Sequence, residues 1–340
     1  MPKEPLNIHN VATRAGVSAA TVSRAFNFPD KVAPATRDLV ERAARELGYQ
    51  PNASARTLRT QRSRVLGVVL PTLLNPVFAE CLQGIAQAAA ASGYAIVPVM
   101  TRYEEAQEQQ AVAQLLAANV DGMILVVSSP SDSRALERLR GAGLPYVLAY
   151  NAHPGHPCVS VDGEAASAEA VARLAALGHR RIAMVSGPLA ASDRAQQRYR
   201  GYLRGMAAAG LQAPPLVEVP FVATAVEALS RYLQTPPRPT ALFCSNDLLA
   251  IRSMRAARLT GLSVPQDLAV MGFDGIAIGQ DLTPALSTIA QPNHDIGRHG
   301  VELLVQSIAR GSPPGAGDSL CLPYRFCGGE SCGAAAGPAA

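Results

Sequence analysis

The sequence predicts a small helical domain followed by a large α/β body with parallel sheets. The first 64 of the 340 residues are strongly basic and contain three short helical patterns. From residue 65 onward, short apolar runs alternate with helical stretches of about 10–15 residues, which is typical of parallel strands joined by crossover helices. A chain of this length, at roughly 100–200 residues per domain, has room for two or three domains.

The charge is distributed unevenly along the chain. Residues 1–64 contain 11 Lys and Arg against 5 Asp and Glu, whereas the whole chain carries a net charge of only +4. A basic module joined to a nearly neutral body suits a protein that binds phosphate groups. Charge alone is equally compatible with a solvated charged surface.

A glycine turn separates the first two predicted helices. Residues 8–15 place Ile8, Val11, Ala12 and Ala15 on one helical face. Gly16 suits the left-handed turn that ends a helix. Ser18 can cap the second helix, whose Val22 and Phe26 face inward. This spacing is that of a helix-turn-helix.

The third helix is predicted from Pro34 to about Leu47, with Gly48 as its stop. Its predicted buried stripe comprises Leu39, Val40, Ala43, Ala44 and Leu47. Three short helices around one small core, with a net positive charge, favour a DNA-binding headpiece. The alternative is a three-helix bundle without a ligand.

In the body, strands are predicted over residues 65–70, 94–100, 122–127, 146–150, 181–186, 241–245 and 268–273. Their nearly continuous apolar character fits strands that are buried on both faces. Seven or more strand–helix units favour two doubly wound sheets over one very large sheet. On the count alone, an eight-stranded (β/α)₈ barrel remains open.

Two stretches, NVATRAGVSAATVSRAFN and ELGYQPNASARTLRT, resemble the headpiece and hinge of the lactose-repressor (LacI/GalR) family of transcription regulators. The resemblance continues more loosely in LPTLLNPVF, ALFCSNDLLA and LAVMGFDG. It implies an N-terminal three-helix helix-turn-helix headpiece plus an α/β two-lobed periplasmic-binding-protein-like body with two doubly wound parallel sheets.

The expected domain bounds follow from this resemblance. They are a headpiece over 1–50, a hinge helix over 51–63, and an effector-binding and dimerisation body over 64–330. Within the body, the N-lobe is expected at about 64–161 and 292–322, and the C-lobe at about 162–291 and 323–330. The composition of the remaining residues, 331–340, predicts a disordered tail.

The resemblance also implies that the second helix lies in the DNA major groove. Arg24 is then the main base-reading residue, able to pair with guanine, while Ala19 and Ala20 offer at most methyl contacts. Phosphate contacts are implied for Ser18, Thr21, Ser23 and Asn27. Ala33 replaces the Ser or Thr that often caps the third helix in the family.

Alone, the segment after Pro51 reads as a flexible linker or a short, marginal helix. The resemblance implies that two such hinges fold together in the operator's minor groove. Leu58 matches the apolar wedge that opens the central base step, and Ala55 matches a groove-contacting position. Arg56 is expected to contact phosphate.

Ligands of parallel sheets bind beyond the carboxyl ends of the strands. A polyol needs polar side chains for its hydroxyls and an aromatic surface for its C–H groups. The predicted effector-binding residues are Phe78, Tyr150, Asn151, Arg198, Phe221, Asn246, Asp274 and Gln291. The resemblance supports Arg198, Phe221, Asn246 and Asp274 among them, whereas Tyr150 stands where many relatives have Asp.

Several of these residues have simpler interpretations. For Asp247, next to Asn246, capping of a helix is the favoured interpretation. Asp274 before Gly275 is also compatible with a turn, and Gln291 with a lobe-crossing segment. Arg198 is one of three arginines in RAQQRYR and also fits an exposed surface position.

Other classes of function lack their signals. The six cysteines form no CxxC pair, and neither a metal site nor a cofactor loop is found. An enzyme would need a catalytic cluster, and a transporter's solute-binding protein would need a signal peptide and no headpiece. The N-terminus MPKEPLNIHN has no apolar segment, and the sequence contains no membrane-spanning run, so a cytoplasmic protein is expected.

The sequence therefore predicts a DNA-binding regulator, most simply a repressor, that acts as a homodimer or tetramer. Its expected partners are pseudo-palindromic double-stranded operator DNA and a small polar effector, either a sugar or a sugar acid. A purine effector is the alternative within the same fold.

Overall fold

The computed structural model describes residues 6–49, 62–221 and 223–333. The chain divides into two compact units between Ser63 and Arg64. The smaller unit is the headpiece and the larger one is the body. The predicted hinge residues Ala55, Arg56 and Leu58 lie outside the described residues.

The headpiece contains three helices, α1 (Ile8–Ala15), α2 (Ala19–Asn27) and α3 (Pro34–Leu47). Gly16 and Gly48 both have φ of 66°, in the left-handed region that ends a helix without steric cost for glycine. The predicted helix-turn-helix is thereby confirmed.

The headpiece core consists of small side chains from all three helices. Its buried members are Val11, Ala12, Val22, Ala25, Val40, Ala43 and Ala44. The prediction that Leu39 belongs to this core is wrong, because its side chain is 48% exposed. Since α1 and α2 are short, they cover α3 only along the stripe centred on Val40, and Leu39 lies beside that stripe.

The body contains eight helices and twelve strands in its described part. The helices are α4 (Pro76–Ala91), α5 (Glu105–Ala117), α6 (Arg134–Gly141), α7 (Gly163–Ala176), α8 (Asp193–Ala208), α9 (Val226–Gln234), α10 (Asp247–Leu259) and α11 (Asn293–Arg310). The strands are β1 (Val65–Leu70), β2 (Ala95–Met100), β3 (Gly122–Leu125), β4 (Tyr146–Ala149), β5 (Cys158–Ser160), β6 (Ile182–Ser186), β7 (Val217–Glu218), β8 (Ala241–Cys244), β9 (Ala269–Asp274), β10 (Ser287–Ala290), β11 (Leu320–Cys321) and β12 (Arg325–Cys327).

These strands form two six-stranded sheets, one in each lobe. The N-lobe sheet has the order β11-β5-β4-β3-β1-β2, and the C-lobe sheet has the order β12-β10-β9-β8-β6-β7. All pairings are parallel except that of β12 with β10. The predicted two doubly wound parallel sheets are confirmed, with one antiparallel edge strand in the C-lobe.

The chain passes between the sheets three times, after β5, after β10 and after β11. Apolar side chains cover both faces of each sheet. In β1, for example, Leu66 and Val68 face the core formed with α4 and α11, whereas Val69 faces α5 and α6. Polar groups are therefore concentrated at the strand ends, where the two lobes meet.

Helices α4 and α11 of the N-lobe cross at a position where both helices carry glycine. A Cβ atom at Gly84 would collide with the carbonyl oxygen of His294. A Cβ atom at Gly297 would collide with the carbonyl oxygen of Cys81. The two backbones can therefore approach closely only because both positions lack a side chain.

The predicted disordered tail over 331–340 begins too early. Ser331 is fully buried, and its Oγ donates a hydrogen bond to the carbonyl oxygen of Val270 at 2.6 Å. Cys332 is also buried on the C-lobe core. Residues 331–333 thus belong to the body, where the N–H of Val270 in β9 also donates a hydrogen bond to the carbonyl oxygen of Ser331 at 2.8 Å. Residues 334–340 lie outside the described residues.

Candidate functional site

Helix α2 presents a short polar face. Ser18 Oγ accepts a hydrogen bond from the backbone N–H of Thr21 at 3.1 Å and so caps the helix. Ala20 and Arg24, one turn apart, are both exposed. The other predicted contact residues of this helix that can be placed are Ala19, Thr21 and Ser23, all partly buried. The side chain of Asn27 lies outside the described residues.

A small cavity lies between the two lobes at the carboxyl ends of the strands. Seven of the eight predicted effector residues line it: Phe78, Tyr150, Arg198, Phe221, Asn246, Asp274 and Gln291. Its volume is about 30 Å³, which suffices for one or two water molecules. A ligand as large as a sugar therefore requires the lobes to separate or the lining side chains to move.

Arg198 and Asp274 form a buried ion pair in this cavity. Arg198 Nη2 lies 3.2 Å from Asp274 Oδ1, and its guanidinium also lies 3.8 Å above the ring of Phe273. A second hydrogen bond joins Arg198 to the carbonyl oxygen of Ser245. Gln291 Nε2 donates to Asp274 Oδ1 at 2.8 Å. These contacts hold the carboxylate and the guanidinium in fixed orientations.

The ion pair balances the electrostatic cost of its own burial. Burial raises the pKa of Asp274, while the charge of Arg198 lowers it. Burial likewise lowers the pKa of Arg198, and the charge of Asp274 raises it. Removal of one partner would leave the other as an uncompensated buried charge, which is strongly destabilising.

Asp247 holds the loop that follows Asp274. Asn246, and not Asp247, caps α10 by accepting a hydrogen bond from the N–H of Leu249, so the favoured interpretation of Asp247 as a cap is wrong. Asp247 Oδ2 instead accepts hydrogen bonds from the N–H groups of Gly275 and Ile276 at 2.7 and 2.8 Å. These bonds fix the turn that positions Asp274.

Burial, reinforced by repulsion from Asp274, raises the pKa of Asp247 to about 8, although three donated hydrogen bonds lower it. The folded protein then binds a proton that the unfolded chain releases above its ordinary pKa of 3.8. The contribution of this group to the free energy of unfolding therefore falls as the pH rises from about 4 to about 8.

Asp247→Asn is expected to remove this pH dependence. Between pH 5 and pH 8, the free energy of unfolding of the variant should gain at least about 1 kcal/mol relative to the wild type, since one pKa unit corresponds to about 1.4 kcal/mol. Urea denaturation at several pH values measures the free energy of unfolding of the variant and of the wild type. Asp281→Asn, at an exposed position of the same lobe, is the control. Parallel stability curves for Asp247→Asn and wild type would contradict the assignment.

Aromatic side chains from both lobes line the other part of the cavity. Tyr103 of the N-lobe stacks on Phe221 of the C-lobe, with ring centroids 4.8 Å apart and an angle of 20° between the rings. Phe78 contacts Tyr150 edge to face at 5.7 Å. The hydroxyl of Tyr150 donates to the carbonyl oxygen of Val77 at 3.0 Å, so it is engaged within the N-lobe. The aromatic groups offer a flat apolar surface to a ligand.

Asn151 does not line the cavity, contrary to its predicted role. Its side chain is fully buried and bonds to both backbone polar groups of Val127, at 3.0 and 2.9 Å. Its Nδ2 also donates to Asp193 Oδ1 at 2.7 Å. The side-chain amide of Asn151 thus forms hydrogen bonds that join the two lobes, because Asn151 points away from the cavity.

Seven further residues that the sequence did not predict line the cavity: Asn75, Val77, Tyr103, Ser192, Arg194, Ala195 and Ser245. Asn75, Ser192 and Asn246 are the N-caps of α4, α8 and α10. Three helix N-termini therefore face the cavity. Ser245 could have been predicted as a lining residue because it directly precedes Asn246, whereas no sequence feature distinguished Tyr103.

The family model for periplasmic binding proteins and the sugar binding domain of the LacI family matches residues 63–326. The model for bacterial regulatory proteins of the lacI family matches residues 7–52. The chain belongs to the LacI family. Its two units are thus the family's DNA-binding headpiece and its effector-binding body, and the protein is a DNA-binding transcriptional regulator and not an enzyme.

Relatives of this LacI-family regulator match over nearly the whole chain. It is 35% identical to the HTH-type transcriptional repressor CytR of Escherichia coli K12 over 316 residues, which are 92% of each protein. The lac repressor dimer bound to operator and the anti-inducer ONPF matches with a TM-score of 0.87 and 29% identity, covering 97% of this chain and all of that one. The transcriptional regulator CelR in complex with cellobiose matches with a TM-score of 0.71 and 28% identity, covering 96% of this chain and all of that one.

Within residues 6–49, 62–221 and 223–333, no group of three or more His, Cys, Asp or Glu could hold a metal ion. In the same ranges, no helix combines the length and the apolar character needed to cross a membrane.

Proposed function

We propose that this LacI-family regulator is a cytoplasmic repressor that binds operator DNA as a homodimer or tetramer. Its operator affinity changes when a small polar effector occupies the cavity between the lobes. The observation that carries the proposal is this cavity, lined by convergent polar groups from both lobes, in a chain that also contains a helix-turn-helix. The effector would fix the separation of the lobes, since it contacts both.

On the DNA side, Arg24 reads a guanine in the major groove, and Ala19 and Ala20 contribute little discrimination. The exposure of Arg24 on the same face of α2 as Ala20 supports this role. Backbone phosphates are contacted from the flanks of the helix by Ser18, Thr21, Ser23 and Asn27. The hinge contributes Ala55 as a minor-groove contact, Arg56 as a phosphate contact and Leu58 as the wedge.

Arg24→Ala is expected to weaken binding to the operator by about 1–3 kcal/mol and to relax the preference at one base pair. Arg14→Ala is the matched control, because it removes the same charge from a residue that is paired with Glu46 at 2.6 Å. Fluorescence anisotropy titrations on operator and random DNA measure both. Equal losses on the two kinds of DNA would show that Arg24 contacts phosphate only.

A dimer should protect a roughly symmetric site whose two halves are related by its two-fold axis. Footprinting is expected to show this pseudo-palindrome, with a flexible pyrimidine–purine step at its centre where Leu58 inserts. A single half-site bound at full affinity would contradict the dimer.

On the effector side, Arg198, Asp274, Asn246 and Gln291 bind hydroxyl or carbonyl groups. Phe78, Tyr150 and Phe221 supply the aromatic surface. These residues support a polyhydroxylated ligand, a sugar or a sugar acid, because polar donors and acceptors converge beside flat apolar rings. The stacked Tyr103 and Phe221 rings are the observation that keeps a purine as the second candidate. Thermal unfolding with sugars, sugar acids and purines tests both, because bound ligand raises the melting temperature.

A further inference from the structure

Two buried polar groups in the cavity lining lack a partner. Arg194 Nη2 and Ser245 Oγ have no hydrogen-bond partner in the part of the chain that the structure describes. Arg194 is only 7% exposed and Ser245 only 1%. A buried polar group without a partner costs free energy, and such a cost is retained where a ligand makes the missing bond.

The first amino group of Arg194 is already engaged in hydrogen bonds. Its Nη1 donates to the carbonyl oxygen of Val127 at 2.8 Å and to Asp193 Oδ1 at 2.9 Å. The same carboxylate oxygen forms an ion pair with Arg194 and also accepts a hydrogen bond from Asn151. Glu108 is the other acid whose charge acts on Arg194, and burial raises the pKa of Glu108. The second amino group, Nη2, thus lacks a partner in the described part of the chain, in a residue that lines the cavity.

The cavity also lies in the electrostatic field of three helix N-termini, in addition to the unpaired donors of Arg194 and Ser245. Helices α4, α8 and α10 contain 16, 16 and 13 residues, and the N-cap residue of each lines the cavity. The partial positive charge at a helix N-terminus stabilises an anion. The ion pairs Arg198–Asp274 and Arg194–Asp193 each sum to zero charge, so neither pair cancels the positive field at the helix ends.

We propose that the effector carries a carboxylate, whose two oxygens accept hydrogen bonds from Arg194 Nη2 and Ser245 Oγ. This inference rests on the proposed function and specifies the chemical class of the effector as a sugar acid. Two unpaired donor groups match the two oxygens of a carboxylate. A phosphate group, with three oxygens and more charge, would need further donors.

The test compares matched ligands on the full chain. Gluconate, galactonate, glucuronate and galacturonate are paired with glucose, galactose, sorbitol and galactitol, at constant ionic strength set with sodium chloride. Sugar phosphates, hypoxanthine and acetate complete the panel. Melting temperatures and calorimetric titrations give the affinities. We expect at least one sugar acid to bind at least tenfold more tightly than its neutral counterpart.

Variants locate the carboxylate within the cavity. Arg194→Gln and Ser245→Ala should each weaken the binding of the acid at least tenfold and leave the neutral counterpart unchanged. Ser245→Ala removes neither a charge nor a contact between the lobes. It therefore still tests the proposal if the Arg194→Gln variant does not fold. Arg204→Gln, an exposed arginine on the same helix that pairs with Glu164 at 2.9 Å, should have no effect.

Several outcomes would overturn the proposal. These are equal binding of acid and neutral sugar, tighter binding of a phosphate or hypoxanthine, equal losses for acid and neutral ligand in the variants, and no stabilisation by any carboxylate. Operator titrations keep the proposed function separate. A neutral ligand that changes operator affinity would refute the carboxylate and retain the function. An acid that binds through Arg194 without changing operator affinity would support the carboxylate and refute the proposed function.

Discussion

Asp274→Ala is expected to abolish the response of operator binding to the effector. The substitution removes the carboxylate that orients Arg198 and that is proposed to accept a ligand hydroxyl, so effector binding is expected to weaken by about 1–3 kcal/mol. Because the headpiece is a separate unit, operator affinity without effector should remain near that of the wild type. A ligand shifts an equilibrium only through its differential affinity for the two states.

Operator titrations at increasing effector concentration measure this result. Circular dichroism must show that the variant is folded, because the loss of Asp274 also leaves Arg198 as a buried unpaired charge. Asp274→Asn keeps an oxygen that can accept hydrogen bonds from Arg198 and Gln291. Its comparison with Asp274→Ala separates the effect of the lost charge from that of the lost side-chain shape. Asp281→Ala, at an exposed aspartate of the same lobe, is the control. A folded Asp274→Ala protein that responds at the wild-type concentration would show that Asp274 only shapes a turn.

Gly84→Ala is expected to cause a large loss of stability. The new Cβ would collide with the backbone of α11 at His294, and backbone cannot move aside as a side chain can. Overpacking of a close helix crossing costs about 1–3 kcal/mol and occasionally more. Because α4 starts at the cavity with Asn75 and Phe78, a displaced α4 should also weaken effector binding.

Gly300→Ala in α11 is the matched control for this substitution. Its Cβ would lie 3.7 Å from the side chain of Ile124, an ordinary contact distance. Since alanine is favoured over glycine inside helices, this change should be neutral or stabilising by about 0.5–1 kcal/mol. Chemical denaturation compares the two variants. Equal stabilities would mean that α4 and α11 can separate at no cost.

The long strands were predictable because each is a run of mostly apolar residues. Thus β1 begins and ends where the sequence places it, at Val65 and Leu70. The predicted set lacks β5, β7, β10, β11 and β12. The edge strands β7 and β11 contain only two residues each and carry no pattern of their own. Their pairing is imposed by the neighbouring strand.

The cavity could be predicted where its residues follow strands directly, as Asn246, Asp274 and Gln291 do. Arg194 could not be distinguished from the exposed Arg200 of RAQQRYR, because only the meeting of the two lobes shows which of these arginines line the cavity. Asn151 was predicted incorrectly for the related reason that neighbouring residues at a strand end point in opposite directions. Leu39 shows the same limit in the headpiece, where helical periodicity overestimates the width of the buried stripe.

The three passages of the chain between the lobes have a consequence for its synthesis on the ribosome. Neither sheet can be completed until β11 and β12 have been made, because these late strands add to the N-lobe and the C-lobe respectively. The headpiece, in contrast, is formed entirely by residues near the start of the chain. A growing polypeptide therefore acquires its helix-turn-helix long before it has a finished cavity, so a nascent chain gains its DNA-binding element before it can sense a metabolite.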